Sequence, residues 1–504
     1  MPTRILSAAP SGLDAVIISV EADSGGGDFG QITIVGLPDA AVSESRERVK
    51  SALRHCGLPF PRRRITVNLA PAELKKHGPV YDLPITIAIL ALQNNFLINF
   101  TECLLIGELS LDGRVKPSPS ILAMAMAARD NNLKALFVPT ENATEARLIE
   151  GLTIYPVSNL RELINHLTKK RLISPAKEEK SGLPSAGLFP DLSEIRDQNQ
   201  AKRALEIAAA GGHNLLLSGP PGSGKTYLAK TLPGILPALS LTERLEVTKI
   251  HGIVRKQPEV RPLIMDRPFR SPHHSISATA LIGGGAWPRP GEISLAHRGV
   301  LFLDEFPEFS RPVLENLRQP LEEGYINIDR GFGRLRFPAD FILLAAMNPC
   351  PCGYYGQPGK NCRCTPRQII NYRRHLSGPI IDRIDLHISL PRVRIEKLES
   401  TEIGENSTTV RRRVTEARTR QSIRLKNNCF LANAGLTNQM VKDFCRIDQA
   451  GRRLLTAAAE RLNLSARSYF RVLKLARTIA DLATEKDILA GHLAEALQYR
   501  PKLE

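Results

Sequence analysis

With 504 residues, 42% of them hydrophobic and 24% charged, the chain has the balance of a soluble globular protein and room for two to four domains. Its first twenty residues lack a basic start before a long apolar run, and its longest apolar stretch, near Leu83–Leu92, is too short to span a bilayer, which argues against secretion and membrane insertion and leads us to expect a cytoplasmic location. The 68 Lys and Arg against 51 Asp and Glu give a formal net charge of +17, a field that attracts polyanions, with nucleic acid expected ahead of an anionic membrane surface.

Residues 1–170 read as a mixed α/β domain. Strand-like runs at Ala15–Val20, Gln31–Val35 and Ile65–Leu69 alternate with helical ones at Ala41–His55 and Tyr81–Gln93. The polar stretch Lys169–Pro190, rich in Lys and Pro, supplies a linker over residues 171–190. Residues 191–395 carry the nucleotide signals. The polar run Glu396–Thr409 closes that core, and residues 396–504 continue in long helical patterns.

Asn214–Ser218 is a short apolar strand that runs into Gly219-Pro220-Pro221-Gly222-Ser223-Gly224-Lys225-Thr226, with a helical run, Tyr227–Leu232, behind it. This is G-x-x-x-x-G-K-[ST] in its proper setting. The glycines let backbone N–H groups curl around phosphates at a helix N-terminus. Lys225 would reach the β- and γ-phosphates and Thr226 would ligand Mg²⁺, so ATP and Mg²⁺ are the expected cofactors. The loop-rich insertion Arg267-Pro-Phe-Arg270-Ser-Pro-His273-His274, followed by Gly283–Gly285, comes next. Its histidines lack a neighbouring carboxylate or cysteine in sequence and read as hydrogen-bonded loop residues rather than metal ligands.

Val300–Leu303 is a buried-strand run that ends in Asp304-Glu305. Asp304 can hold the Mg²⁺ shell and Glu305 can polarise the attacking water; an exposed acidic turn is the plainer alternative. In Tyr325–Phe337 two alternating runs flank Gly-Phe-Gly, a β-hairpin with Arg330 and Arg334 beside its turn. Two arginines and an aromatic at such a tip suit DNA backbone and base contacts, unless the hairpin packs on its own subunit. A further strand, Phe341–Met347, ends at Asn348. Cys350, Cys352, Cys362 and Cys364 follow around a nine-residue loop, and four thiolates match a closed structural Zn²⁺ site, with unliganded thiols or an iron–sulfur cluster as alternatives. Between Thr409 and Arg424 stand six arginines and one glutamate, a helix face that either meets solvent or contacts phosphates.

The order of P-loop, Val300–Glu305, Asn348, Leu376-Ser-Gly-Pro-Ile-Ile-Asp-Arg383-Ile-Asp385 and Ser465-Ala-Arg467 resembles the AAA+ ATPases. The resemblance makes Asn348 the polar residue that aligns the water opposite the γ-phosphate. It makes Arg383 the arginine finger acting on a neighbouring subunit, and Arg467, or Arg471 one turn later, the second sensor arginine. A simple pairing of Arg383 with Asp382 or Asp385 competes with the finger. The stretches Pro290–Glu305, Ala346–Gly353 (AMNPCPCG) and Ser465–Leu473 narrow the likeness to the magnesium-chelatase-like AAA+ proteins, and within them the ComM/YifB group. It covers nearly the whole chain and implies a homo-oligomer, a hexameric ring, and for ComM a DNA branch-migration role in natural transformation.

Lys76-His-Gly-Pro-Val80-Tyr-Asp-Leu and Gly107–Val115 resemble the Lon protease domain, an α/β fold also seen in a ribosomal protein domain. Val80 stands where the serine nucleophile would be, and the run around Leu122 contains no lysine, so the Ser-Lys dyad is absent. The expected architecture is a Lon-like α/β domain, an α/β AAA+ core with a hairpin insertion, and a helical C-terminal lid. The expected function is an ATP-driven DNA motor, a helicase or branch-migration translocase, acting on single-stranded or branched DNA. A metal-chelatase motor and a nucleotide-switched DNA-binding scaffold are the alternatives.

Overall fold

The computed structural model describes residues 2–25, 31–60, 63–93, 96, 99–177, 189–254, 263–285, 289–330, 333–357, 360–392, 404–425, 432–462 and 464–500. Two compact units emerge. One combines Met1–Leu183 with Arg244–Ile264, and the other combines Pro184–Glu243 with Met265–Glu504. Among the described residues no helix is long and apolar enough to cross a membrane.

The first unit is built on a seven-stranded mixed sheet. In spatial order its strands are Ile32–Val35, Arg64–Ala70, Asp14–Gly25, Thr3–Ser11, Cys103–Leu105, Ala135–Pro139 and Thr153–Val157. Arg64–Ala70, Asp14–Gly25 and Thr3–Ser11 pair antiparallel, and every other neighbouring pair in the sheet runs parallel. Helix Asp82–Ala91 is buried nearly all round, as its unbroken apolar run requires. Its first residue is the exception in kind. The Asp82 carboxylate, fully buried, accepts from Arg48 Nε at 2.7 Å and from the Leu109 amide at 3.2 Å, so the charge enters the core with its hydrogen bonds made.

In the second unit five strands pair parallel in the order Phe269–Arg270, Val300–Leu303, Ile342–Met347, Leu215–Ser218, Leu386–Ser389. The central three are continuous apolar runs, the pattern of a parallel sheet covered on both faces. Because all five run the same way, their C-terminal ends share one edge, where ligands bind in open α/β sheets. Asn214 fastens the sheet at the opposite edge: its side chain accepts from the Leu343 amide at 2.8 Å and donates to the Arg383 carbonyl at 3.1 Å. The strands and the C-terminal helices, among them Ser407–Arg424 and Ala466–Leu482, share a single hydrophobic core.

This division departs from the sequence reading at two places. Residues 244–264 group with the N-terminal unit although both their neighbours belong to the other, and residues 396–504 form no separate unit. Local apolar spacing says that a helix needs a core; it does not say which one.

Candidate nucleotide site

The phosphate-binding loop leaves the strand Leu215–Ser218 and enters the helix Lys225–Ile235. Gly222 and Gly224 take φ of 77° and 84°, left-handed angles that a side chain resists, and the turn needs both. Lys225 folds back along the loop. Its Nζ donates to the carbonyls of Gly219 (2.7 Å) and Pro220 (3.0 Å) and to Asn348 Oδ1 (3.1 Å). Burial lowers the pKa of this amine, an effect that the nearby Asp304 opposes. Thr226 Oγ1 donates to Asp304 Oδ2 at 2.8 Å. Lys225, Thr226, Asp304 and Asn348, drawn from three strand ends, thus converge on the strand-end edge.

Glu305 sits beside them with φ of 52°, an unusual backbone for a non-glycine residue, and its amide donates to Asp304 Oδ1 at 2.9 Å. Its carboxylate faces His274: Nδ1 lies 3.1 Å from Oε2. The sheet explains the meeting. Arg270 pairs with Leu301 in parallel register, and His274 and Glu305 each stand four residues beyond. His273 bonds Ser275 Oγ at 2.8 Å and stacks on the His274 ring at 4.0 Å, a hydrogen-bonded loop residue as expected. The His274–Glu305 contact had no signal in the sequence, because only strand pairing joins the two segments.

The arginines gather elsewhere. Arg383 is buried and bonds the Glu322 carboxylate and the Pro379 carbonyl, not Asp382 or Asp385. Arg467 Nη2 donates to the same Glu322 Oε1 at 2.9 Å, with half its side chain exposed. Hydrogen bonding from Arg383 holds the Glu322 carboxyl below its ordinary pKa. Arg471 is a different case: it is largely buried, 3.5 Å from Asp385, which also binds His213 at 3.1 Å. Among the described residues no hydrogen bond or ion pair joins the Arg383–Glu322–Arg467 group to the Lys225 group.

The four thiols meet. The Sγ atoms of Cys350, Cys352, Cys362 and Cys364 all lie within 4.8 Å of one another. Cys350–Cys352, Cys352–Cys362 and Cys350–Cys362 are separated by 3.4, 3.5 and 3.7 Å, close to the about 3.8 Å edge of a tetrahedron with metal–sulfur bonds of about 2.3 Å. Backbone N–H groups of Tyr355 and Cys352 point at Cys350 Sγ (3.3 Å) and Cys364 Sγ (3.4 Å). Backbone hydrogen bonds from Tyr354 and Arg363 pull the Cys352 thiol down to about 6, while its neighbour Cys362 is pushed up to about 12. Four converging sulfurs with donors on them fit a thiophilic divalent cation, and the cluster can hold a metal.

The hairpin forms from Tyr325–Arg330 and Gly333–Pro338. Its tip, residues 331–332, and the side chains of Arg330 and Arg334 lie outside the described residues. Lower down, Arg336 stacks on the Tyr325 ring at 3.5 Å. In the arginine-rich helix Ser407–Arg424 five of the six arginines have hydrogen-bond partners, while Arg411 and Arg412 stand on its exposed face. Arg411 bonds the Gly234 carbonyl, Arg413 bonds Glu206 and Glu405, Arg418 bonds the Ala209 carbonyl, and Arg420 and Arg424 bond Asp481.

Comparison with known proteins agrees with the geometry. Residues 191–398 match the family model described as magnesium chelatase, subunit ChlI; residues 20–142 match subunit ChlI of Mg-chelatase; residues 404–500 match its C-terminal model. The chain is 44% identical to the YifB protein of Escherichia coli (strain K12) over 98% of its own length and 96% of that protein's. It is 42% identical to the competence protein ComM of Haemophilus influenzae, over 98% of this chain and 97% of that one.

Proposed function

The chain belongs to the ComM/YifB group of magnesium-chelatase-like AAA+ proteins, a family that implies ATPase activity, and from this we propose that it is an ATP-driven, ring-forming motor that moves along single-stranded or branched DNA in the cytoplasm. The observation that carries the reading is the meeting of Lys225, Thr226, Asp304, Glu305 and Asn348 on one sheet edge. Lys225 anchors the β- and γ-phosphates, Thr226 and Asp304 hold Mg²⁺, Glu305 polarises the attacking water and Asn348 orients it. When bound, Mg²⁺ neutralises charge building on the phosphates. Arg383 and Arg467 share Glu322 and, among the described residues, make no contact with the Lys225 group, which supports their acting on the nucleotide of an adjacent copy in a homo-oligomer, a hexamer. Arg330 and Arg334 on the hairpin are the proposed DNA contacts, and Zn²⁺ is the proposed occupant of the cysteine cluster. The first unit is proposed as a Lon-like fold without protease chemistry, since Val80 replaces the nucleophile. A role in recombination during natural transformation follows from the likeness to ComM.

The family descriptions also favour a chelatase-type motor. ATPase rates with and without single-stranded, forked and four-way DNA, together with strand displacement, separate the two. DNA-stimulated turnover with displacement supports the motor on DNA, and turnover indifferent to every DNA would sink it.

A further inference from the structure

Between Asn348 and His375 the sequence contains no Asp or Glu, yet it carries Lys360, Arg363, Arg367, Arg373 and Arg374. All five are exposed. The side chains of Arg363, Arg367 and Arg374 form no hydrogen bond or ion pair with any described residue, in contrast to five of the six arginines of Ser407–Arg424. Lys360 Nζ lies 4.4 Å above the Tyr354 ring and Arg373 lies 5.4 Å above that of Tyr355, which is itself 43% exposed. Four thiolates around a divalent cation would carry about two negative charges, so the segment stays positive with its metal bound.

The segment is pinned from behind. The cysteine cluster closes its loop, Ile369 is buried, and Thr365 and Gln368 cap the helix Pro366–Arg374 reciprocally. Its inner side reaches the nucleotide loop. A Cβ at Gly353 would stand 2.5 Å from Pro221 Cδ, so no larger residue fits there, and Asn348 at the start of the segment bonds Lys225.

We propose that the cysteine-pinned segment Asn348–His375 is a second nucleic-acid contact, whose exposed cations neutralise backbone phosphates and whose inner face passes that occupancy to the P-loop through Gly353–Pro221 and Asn348–Lys225. Uncompensated cations beside exposed tyrosine faces fit a sugar–phosphate chain with unstacked bases. The identity of this polyanion rests on the DNA-motor reading.

The test replaces Arg363, Arg367 and Arg374 together with alanine, and in a second protein with lysine. Affinity for a single-stranded oligonucleotide and for a four-way junction is titrated against NaCl, alongside ATPase rates with and without DNA and the assembled mass. The alanine protein should lose about tenfold or more in affinity, and its salt slope on single strands should fall by about 2, since each phosphate contact contributes about 0.7. Its DNA stimulation should drop while basal turnover and assembled mass hold, and the lysine protein should behave as wild type. Wild-type affinity and slope in the alanine protein would overturn the inference and leave the motor reading standing. A fall in assembled mass would overturn it in favour of a contact between copies. A wild-type protein that neither binds nor responds to DNA would take both readings down.

Discussion

His274 Nδ1 and Glu305 Oε2 stand 3.1 Å apart, so the carboxylate assigned to the attacking water already has a partner on the insertion loop. Glu305→Gln should bind ATP normally and turn over about 10²–10³-fold more slowly, because only the polarisation of water is removed. His274→Ala should raise basal turnover severalfold and shrink the DNA-stimulated ratio, since the carboxylate is no longer held. Steady-state rates for the two variants decide the matter; a slower His274→Ala enzyme would make the histidine an aid to the carboxylate.

Lys225→Ala should abolish nucleotide binding outright, whereas Asp304→Asn should bind nucleotide but lose its Mg²⁺ dependence. The two side chains answer to different parts of the same ligand. Fluorescent-nucleotide titrations with and without Mg²⁺ check this, and equal loss in both would mean the loop itself is distorted.

Arg383 and Arg467 hang on one carboxylate. Mixing Arg383→Ala subunits with Lys225→Ala subunits should restore part of the hydrolysis, at interfaces where an intact loop meets an intact arginine. Glu322→Gln should lower kcat with little change in KM, since it positions arginines without touching nucleotide. Mixtures as inactive as either parent would place Arg383 in its own subunit's site.

Metal analysis of the purified protein should find about one zinc per chain, lost when Cys350 and Cys352 are changed together. Rapid alkylation of all four thiols in the native protein would remove the metal from the account.

Burial alone would raise the Asp385 carboxyl, but the hydrogen bond from His213 and the charge of Arg471 outweigh it and hold it at about 2. A carboxyl depressed on folding stabilises above its unfolded pKa of about 3.9, and that contribution fades as pH falls from there through the folded value. Asp385→Asn should therefore cost about 2–3 kcal/mol near neutrality and make little difference below about pH 2. Denaturant titrations at several pH values read the difference directly.

Chemistry tied to contiguous residues was legible in the sequence. The loop Gly219–Thr226, the Asp304–Glu305 pair, the strand ending at Asn348 and the cysteine pairs each announce themselves within a few positions. What escaped is set by strand pairing or by side-chain reach. His274 meets Glu305 only because Phe269–Arg270 lies beside Val300–Leu303. Glu322 meets Arg383 and Arg467 across 61 and 145 residues of sequence. Nor can composition report that five of the six arginines of Ser407–Arg424 reach hydrogen-bond partners in the fold.

The assignment of Arg244–Ile264 to the first unit changes how this protein can be dissected. Leu245 packs on the N-terminal core, and Val247 and Ile250 are buried. The polypeptide therefore crosses between units three times, and removing the first 190 residues would not release a clean ATPase. It would leave Leu245 without the core it packs on. Such a truncated chain should precipitate or bind chaperones. Deletion is therefore the wrong tool for asking what the first unit does.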